Sequence, residues 1–200
     1  MTIQELHRIF LEFPTVCTDT RKITDNCLFF ALRGDNFNGN EYAKDANTLK
    51  TLQDLANFHR KSSSAKVLAL TGSNGKTTTK ELINAVLSKK YKTVATKGNL
   101  NNHIGVPLTL LTIKPDTEVA IIEMGANHIL EIQLLCSLAE PDMGYITNFG
   151  KAHIEGFGSA EGVIIGKSEL YQFLITHSKT IFYNGDDTIQ LNKLKTYPNK

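Results

Sequence analysis

The sequence predicts an α/β protein with a mostly parallel sheet, preceded by a small, shortened α/β unit. Short apolar runs recur along the chain, and helical patterns separate them. Such alternation is typical of buried parallel strands covered by helices on both faces. A polar, serine-rich stretch, HRKSSSAK at 59–66, precedes the first buried run. We interpret it as a linker and expect two domains, at 1–62 and 63–200; a polar loop within one domain is the alternative.

The individual elements follow from periodicity, since apolar residues three or four apart indicate a helix and short apolar runs indicate buried strands. In chain order, the sequence predicts a helix at 49–60, a strand at 67–70, a helix from 77 to 88, a strand near 93–96, a strand within 118–125, a helix at 130–138, a strand within 143–150, a helix at 160–174 and a strand within 180–187. Ligands of such sheets bind beyond the carboxyl ends of the strands.

The segment TGSNGKTTT at 71–79 links the first buried strand to the helix after it. Its two glycines permit sharp turns in which backbone N–H groups surround an anion, and the helix N-terminus that follows favours phosphate. Lys76 is placed to reach the outer phosphates, and the Thr77 hydroxyl to ligate Mg²⁺. We predict a P-loop-type nucleotide site, although Leu70 stands where the common pattern has its first glycine. A glycine-rich turn with a chance Lys-Thr pair is the alternative.

Composition excludes several classes of protein. The 22 basic and 20 acidic residues are interspersed and give a formal charge of +2, so no nucleic-acid-binding patch is expected. No apolar run is long enough for a membrane span or a signal peptide. Cys17, Cys27 and Cys136 lack metal-binding spacing and are interpreted as reduced thiols. We expect a cytoplasmic monomer that binds neither nucleic acid nor membranes.

Three further polar residues occupy positions where the predicted sheet would place ligands. Glu123 ends an apolar run, so its carboxylate should share an edge with the loop and could hold Mg²⁺; a strand-terminal salt bridge is the alternative. His153 lies in a glycine-rich segment after the next strand, where a structural or solvated histidine is the ordinary finding. Lys167 lies on a predicted helix, where a solvated surface lysine is the default. Spacing alone does not decide the last two.

Four motifs occur in one order between residues 66 and 187. They are the loop, TKGNLNNHIGVPLTLL at 96–111, IIEMGANH at 121–128 and NFGKAHIEGFGSAEG at 148–162. Together they resemble the central domain of the Mur ligases. The N-terminal CTDTRKITDNCLFFALRGDNFNGNEYA at 17–43 resembles the UDP-binding domain of the same family. Within the family, the motifs are most similar to the ligases that add D-alanyl-D-alanine to UDP-N-acetylmuramoyl-tripeptide.

The resemblance implies an ATP- and Mg²⁺-dependent ligase of peptidoglycan synthesis and cell-wall biogenesis. Such enzymes phosphorylate a substrate carboxylate with ATP, and an amine then attacks the acyl phosphate to form an amide. The implied substrates are UDP-N-acetylmuramoyl-tripeptide and D-alanyl-D-alanine. A sister ligase that adds another amino acid, a folate-polyglutamate synthase and a non-catalytic nucleotide- or UDP-sugar-binding module are the alternatives.

The resemblance also assigns roles to individual residues. The expected ATP-binding residues are Gly72, Ser73, Asn74, Gly75, Lys76, Thr77 and Thr78. The expected catalytic residues are Lys76, His153 and Lys167, and the expected metal ligands are Thr77, Glu123 and His153. The expected contacts to the muramoyl-peptide are Asn101, Asn102 and His103, and those to the UDP group are Thr20, Arg21, Asn38 and Gly39. Lys167 matches the family lysine that becomes carbamylated, which turns it into an anionic oxygen ligand.

The chain also departs from the family pattern. Leu130 occupies a position where a glycine is expected before Glu131. The N-terminal domain is shortened, and the later adenine motif and the C-terminal domain of the family are absent. We therefore expect a fragment or a truncated gene product that is inactive alone. Without a closing domain, Lys167 is expected to lie more open to water and to remain mostly an ammonium ion, pointing toward Glu123 and His153.

Overall fold

The computed structural model describes residues 1–34, 37–38, 48–150 and 154–200, with only the backbone described at 33–34 and 37–38. The helices in these ranges are α1 Ile3–Glu12, α2 Thr48–Ser62, α3 Lys76–Leu87, α4 Gly105–Leu110, α5 Glu131–Ala139, α6 Ile154–Phe157, α7 Ala160–Thr176 and α8 Thr188–Lys193. The strands are β1 Thr15–Cys17, β2 Cys27–Phe29, β3 Arg33–Gly34, β4 Phe37–Asn38, β5 Lys66–Thr71, β6 Thr93–Ala95, β7 Val119–Glu123, β8 Met143–Ile146 and β9 Thr180–Phe182. A short 3₁₀ turn covers Thr20–Lys22.

The main sheet of the described chain has five parallel strands in the order β6-β7-β5-β8-β9. Strand β5 lies at its centre, between β7 and β8. Because parallel strands point the same way, the loops after β5, β7 and β8 meet at one edge. Ligands of open α/β sheets bind at this edge, where the strand order reverses. The predicted α/β class with a parallel sheet is confirmed, and each predicted strand and helix is present within a few residues of its expected bounds.

The two faces of this sheet are covered unequally. Val67 and Ala69 belong to the core under α2, α4, α5 and α7, and side chains alternate between the faces of a strand, so Leu68 points the other way. There α3 packs on β5, β6 and β7. An apolar groove of about 890 Å³ remains open beside it, and Leu82 and Val86 are 64% and 70% exposed. The helical pattern of these residues predicted α3 correctly. In the described chain, however, helices cover only one face of the sheet completely.

Helix α2 packs against α1 on one side and against α4 and α5 on the other. The Arg60 guanidinium is buried, donates to the Ala139 carbonyl at 2.9 Å, and pairs with Asp142 at 2.9 Å. The prediction of a linker from residue 59 is therefore wrong for 59–62, because these residues are helical and His59 and Arg60 are buried. The sequence shows only that these residues are polar, and polar residues can lie in solvent or form buried ion pairs. The boundary at residue 62 stays a prediction.

A buried pair of histidines joins α1, α2 and the segment after α4. The His59 Nε2 atom lies 2.8 Å from the Ile113 carbonyl oxygen, so it carries the proton and donates. Its Nδ1 atom then accepts from His7 Nε2 at 3.0 Å. Burial lowers the pKa of both histidines, and the charge of His59 contributes to the lowering at His7. The pair therefore favours two neutral rings.

Helix α5 begins at a strained position. Leu130, where a glycine is expected, adopts φ 75°, the left-handed conformation that favours glycine. The Glu169 carboxylate on α7 accepts from the backbone N–H groups of Leu130 and Gln133, at 2.6 and 2.8 Å. A negative charge at a helix N-terminus is stabilising. The backbone geometry expected for glycine is thus present, although the residue is not.

Two further expectations bear on the class of protein. All three cysteines are free thiols, as predicted. None of the helices in the described ranges has the length and hydropathy that crossing a bilayer requires.

Candidate active site

The loop after β5 presents an open helix N-terminus at the carboxyl edge of the sheet. Gly72 has φ 140°, and a Cβ there would collide with the side chain of Thr147. Gly75 has φ 77° and is the N-cap of α3, so no side chain caps the helix. A Cβ at Gly75 would meet no atom within 4 Å. Unpaired N–H groups facing open space at a helix N-terminus form an anion site, which a phosphate group fits.

The Lys76 ammonium lies inside this loop. It donates to the carbonyl oxygens of Gly72 at 2.8 Å and Ser73 at 3.3 Å. Burial lowers its pKa, and the negative charge of Glu123 partly opposes that effect. The cation is therefore close enough to the loop centre to exchange these carbonyl oxygens for phosphate oxygens.

A second loop, which follows β8, holds the first one in place. The Asn148 side chain accepts from the N–H of Asn74 at 3.2 Å and donates to the Asn74 carbonyl at 3.0 Å. The Thr147 hydroxyl donates to the same carbonyl at 2.7 Å, and Ser73 donates to Gly150 at 3.1 Å. Sequence reasoning gave Thr147 and Asn148 no role. The sequence indicated these two residues only as a polar pair at the end of an apolar run. It does not show that β8 lies next to β5, which is what brings the pair to the loop.

Glu123 lies at the centre of the site and is 1% exposed. Its Oε1 atom accepts from the Asn101 side-chain amide at 2.8 Å and from the Thr77 hydroxyl at 3.3 Å. Its Oε2 atom is buried and has no hydrogen-bond donor within the described residues. The predicted convergence of Thr77 and Glu123 is observed, although they are 46 residues apart.

This donor set fits Mg²⁺. The ion prefers oxygen ligands, and nucleotide sites typically hold it with one or two carboxylates together with phosphate oxygens. Thr77 offers a hydroxyl and Glu123 a carboxylate with an unpaired oxygen. Among the described residues, no group of three or more His, Cys, Asp or Glu side chains converges.

Lys80 contacts the far side of Glu123. It lies on α3 three residues after Thr77, and its side chain has no exposed surface. Its ammonium donates to the Thr96 carbonyl at 2.6 Å, pairs with the Glu81 carboxylate at 2.9 Å and lies 4.0 Å from Glu123 Oε2. Sequence reasoning missed Lys80, although residues three apart on a helix lie on one side of it.

Lys167 is buried, which corrects the expectation of a lysine open to water. The residue is 1% exposed, its ammonium donates to the Ala126 carbonyl at 2.9 Å, and it lies 5.1 Å from the ring centre of Phe157. Burial, helped by the charge of Lys76, lowers the pKa of Lys167 to about 8. The amine thus lies within the fold, where the Lys76 charge acts on it, and not in solvent. Its expected orientation toward Glu123 and His153 stays a prediction.

The three residues expected near the muramoyl-peptide lie together. Asn101, Asn102 and His103 line a cavity of about 490 Å³ that Lys76 also borders. The Asn102 side chain is partly occupied, since its oxygen accepts from the N–H groups of Ile104 and Gly105. The cavity is tied to α2, because the Gln53 side chain donates to the His103 carbonyl at 3.1 Å.

Three predicted site residues cannot be placed from side-chain geometry. Gly39 and His153 lie outside the described residues. Asn38 lies in β4, where only the backbone is described. Their expected roles stay predictions.

The other two residues expected at the UDP group lie in the 3₁₀ turn. Thr20 and Arg21 are exposed, and the Arg21 guanidinium makes two hydrogen bonds of 2.9 Å with the Asp19 carboxylate. These bonds lower the pKa of Asp19 to about 2. Arg21 is therefore ordered by Asp19.

Comparison with known proteins identifies the family. Residues 70–200 match the Mur ligase middle domain, which is more than half of the chain. The chain belongs to the Mur ligase family. It is 39% identical over 212 residues to the UDP-N-acetylmuramoyl-tripeptide–D-alanyl-D-alanine ligase of Escherichia coli, covering 94% of this chain and 47% of that protein. It is 38% identical over 213 residues to the ligase of the same name from Bacillus subtilis, covering 91% and 46%.

Solved Mur ligase structures share the fold. MurF from Acinetobacter baumannii superposes with a TM-score of 0.86 at 28% identity, covering 97% of this chain and 51% of that one. MurF from Thermotoga maritima in complex with ADP superposes with a TM-score of 0.81 at 29% identity, and the match covers 94% of this chain and 50% of that one. This Mur ligase chain spans about half the length of the curated relatives that it matches.

Proposed function

We propose that this chain is part of an ATP-dependent ligase that joins D-alanyl-D-alanine to UDP-N-acetylmuramoyl-tripeptide in peptidoglycan synthesis. One observation carries the proposal: the open N-terminus of α3 with Lys76 lies beside the Thr77–Glu123 pair, at the edge where α/β sheets bind ligands. The names of the matched relatives support the choice of substrates.

In this proposal the loop binds the outer phosphates of ATP. The residues involved are Gly72, Ser73, Asn74, Gly75, Lys76, Thr77 and Thr78. Backbone N–H groups at the helix N-terminus hold phosphate oxygens, and Lys76 leaves its loop carbonyls to pair with them. The likeness to an ADP-bound MurF supports a nucleotide here. Asn148 and Thr147 keep the loop in shape while the phosphates change.

Thr77 and Glu123 are proposed to hold Mg²⁺, and His153 to hold a second Mg²⁺ ion. When bound, the metal withdraws negative charge from the phosphate being transferred. The chain's own contribution is to keep Glu123 buried and oriented by Asn101 and Thr77. With Lys76 paired to the phosphates, a substrate carboxylate oxygen can attack the terminal phosphorus of ATP, which forms the acyl phosphate and releases ADP.

Lys167 is proposed to become carbamylated. Its pKa of about 8 leaves a larger share of neutral amine near neutral pH than an ordinary lysine has. The amine nitrogen forms a bond to CO₂ and releases one proton, which gives an anionic carbamate. Incubation with ¹³C-bicarbonate should give a carbamate carbonyl signal in NMR spectra, and Lys167→Ala should remove it. A signal that persists in the variant would contradict the assignment.

The remaining predicted residues are proposed to bind the UDP-linked peptide. The cavity residues Asn101, Asn102 and His103 would contact the muramoyl-peptide, and Thr20, Arg21, Asn38 and Gly39 the UDP group. Residues 1–62 would then form the UDP-binding domain and 63–200 the ATP-binding domain. We expect a cytoplasmic monomer.

Nucleotide binding tests the central part of the proposal. Lys76→Ala should abolish ADP binding in calorimetric titrations while the far-UV circular dichroism spectrum stays the same, because the hydrogen bonds of Lys76 within the described residues go to carbonyl oxygens of its own loop. Lys89→Ala is the matched control, since Lys89 is an exposed lysine just after the same helix. Equal ADP affinities for the wild type and Lys76→Ala would rule out the assigned site.

Substrate choice needs a second experiment, on the longest open reading frame that contains this sequence. ATP turnover with UDP-N-acetylmuramoyl-tripeptide should require D-alanyl-D-alanine and not occur with meso-diaminopimelate or lysine. Turnover with either of those amines would favour a sister ligase. ADP binding with no turnover under any condition would favour a non-catalytic module.

A further inference from the structure

We propose that Lys80 is a positioning residue for Glu123, which it holds ready for Mg²⁺ without contacting nucleotide or metal. The inference rests on the proposed function, because it takes Glu123 as the metal-binding carboxylate. It goes further by assigning a role to a residue that no motif singles out.

The first observation is the complete burial of Lys80. A lysine side chain with no exposed surface is rare, since removing an ammonium from water is costly unless charge and hydrogen bonds compensate it. Lys80 has the Thr96 carbonyl as an acceptor at 2.6 Å and the Glu81 carboxylate at 2.9 Å. Its ammonium is thus fixed in space and directed at the carboxyl ends of β6 and β7.

The second observation is how Glu123 uses its two oxygens. Oε1 receives the hydrogen bonds of Asn101 and Thr77, on the side of the phosphate loop. Oε2 receives none within the described residues and lies 4.0 Å from the Lys80 ammonium. Lys80 therefore compensates the carboxylate charge on the Oε2 side, and it leaves that oxygen without a hydrogen bond within the described residues.

The third observation is an indirect contact through Thr96. Its carbonyl accepts from Lys80, and its hydroxyl accepts from the backbone N–H of Glu123 at 3.0 Å. Lys80 thus acts on Glu123 in two ways, by its charge 4.0 Å from the carboxylate and through Thr96 on the main chain. Lys76 also interacts with Glu123, but it is proposed to pair with phosphate when nucleotide binds. Lys80 keeps its place throughout.

A partner that orients a metal ligand is energetically important although it never touches the metal. Removing such partners typically lowers metal affinity by about 10- to 100-fold. A neutral residue at position 80 should therefore weaken the response to Mg²⁺ and leave metal-free phosphate binding by the loop unchanged. A residue with a merely structural role would affect both to the same degree.

The test measures ADP affinity by calorimetry in saturating Mg²⁺ and in excess EDTA, on the whole chain. In Lys80→Gln, which can still donate to Thr96, the metal-free affinity should stay within about twofold, and the Mg²⁺ enhancement should fall about tenfold or vanish. Lys80→Met fills the same volume without polar atoms and is the second variant. Lys89→Gln is the matched control, because Lys89 is an exposed lysine just after the same helix and its replacement should leave the enhancement unchanged.

A double-variant cycle separates action through Glu123 from any other cause. In the Glu123→Gln background, adding Lys80→Gln should change the Mg²⁺ enhancement no further. An enhancement in Lys80→Gln or Lys80→Met equal to the wild type, or losses that simply add in the double variant, would overturn the inference. A wild-type chain that binds no ADP in either condition would instead overturn the proposed function, and the inference with it.

Discussion

The Asn101 side chain donates to Glu123 Oε1 at 2.8 Å, so a residue expected to contact the peptide substrate also orients the buried carboxylate. The main chains are joined as well, since the N–H of Gly125 donates to the Asn101 carbonyl at 2.7 Å. Asn101 therefore connects the cavity proposed for the peptide to the site proposed for the metal.

Replacing this amide with a carboxylate should make stability depend on pH. In Asn101→Asp two carboxylates face each other, and repulsion raises the pKa of the introduced carboxyl group in the folded state. An acid whose pKa is raised in the folded state costs no stability while it is protonated at low pH. The free energy of unfolding therefore falls as pH rises toward that pKa. Relative to the wild type, we expect about 1–3 kcal/mol lower unfolding free energy near neutral pH and a smaller loss in acid. Urea denaturation measures this.

The control for this prediction is Asn101→Ala, which removes the hydrogen bond without adding charge. Its loss of stability should grow less with rising pH than the loss in Asn101→Asp, because no second carboxylate is added. Mg²⁺ should stabilise Asn101→Asp more than the wild type, since a second carboxylate attracts the ion. A loss that is the same in acid and at neutral pH would show that repulsion is not its cause.

Lys167→Met should raise stability near neutral pH. The folded-state pKa of Lys167 is lowered to about 8, so the folded form resists protonation and the penalty is complete below that pH. The penalty disappears as pH rises toward the ordinary lysine value. We expect a gain of about 1–3 kcal/mol in unfolding free energy at neutral pH and little gain in strong base. Lys90→Met, at an exposed lysine, should change little, and a destabilised Lys167→Met would refute the argument.

The His7–His59 pair should weaken the fold in mild acid. Burial lowers the pKa of both rings in the folded chain, so the unfolded chain binds protons first as pH falls. Stability is therefore lost from about pH 6.5 downward, until the lowered folded pKa values are reached. His7→Leu should shrink the difference in melting temperature between neutral and mildly acidic buffer. His177→Leu, at an exposed histidine, should leave that difference intact.

Leu130→Gly should stabilise the chain. A left-handed backbone is unfavourable for leucine, and φ at this residue is 75°. Relief of that strain exceeds the entropy lost with glycine, so the expected gain is about 0.5–1 kcal/mol in unfolding free energy. Ile129→Gly is the control, because that residue has no positive φ and should lose stability. A Leu130→Gly variant less stable than the wild type would mean that leucine packing outweighs strain.

The elements that depend on local pattern were predictable from the sequence. The apolar run at β5, the glycines after it and the helix that follows fix the phosphate loop through interactions within a few residues. Glu123 was predictable for a related reason. A residue that ends a parallel strand must lie at the carboxyl edge, whichever strands are its neighbours.

The elements that depend on strand order or on distant packing were not predictable. Asn148 holds the loop because β8 lies next to β5, which periodicity does not reveal. Lysines usually lie on the protein surface, so nothing in the sequence indicated that Lys80 and Lys167 are buried. Their burial results from packing against other helices and strands. Leu82 and Val86 show the opposite case, since their helical pattern is clear although they face an open groove.

Helix α2 connects two distant parts of the central domain through side-chain contacts. The Gln53 side chain donates to the His103 carbonyl beside the cavity. About 10 Å further along the helix, Arg60 pairs with Asp142 at the amino end of β8. A ligand that displaces the His103 loop is therefore expected to strain the Gln53 hydrogen bond on the helix that carries His59 and packs on α1. A coupling of this kind would be reciprocal, so the packing of α1 would affect the cavity to the same degree. The N-terminal helix and the cavity lined by Asn101, Asn102 and His103 thus both contact the same helix.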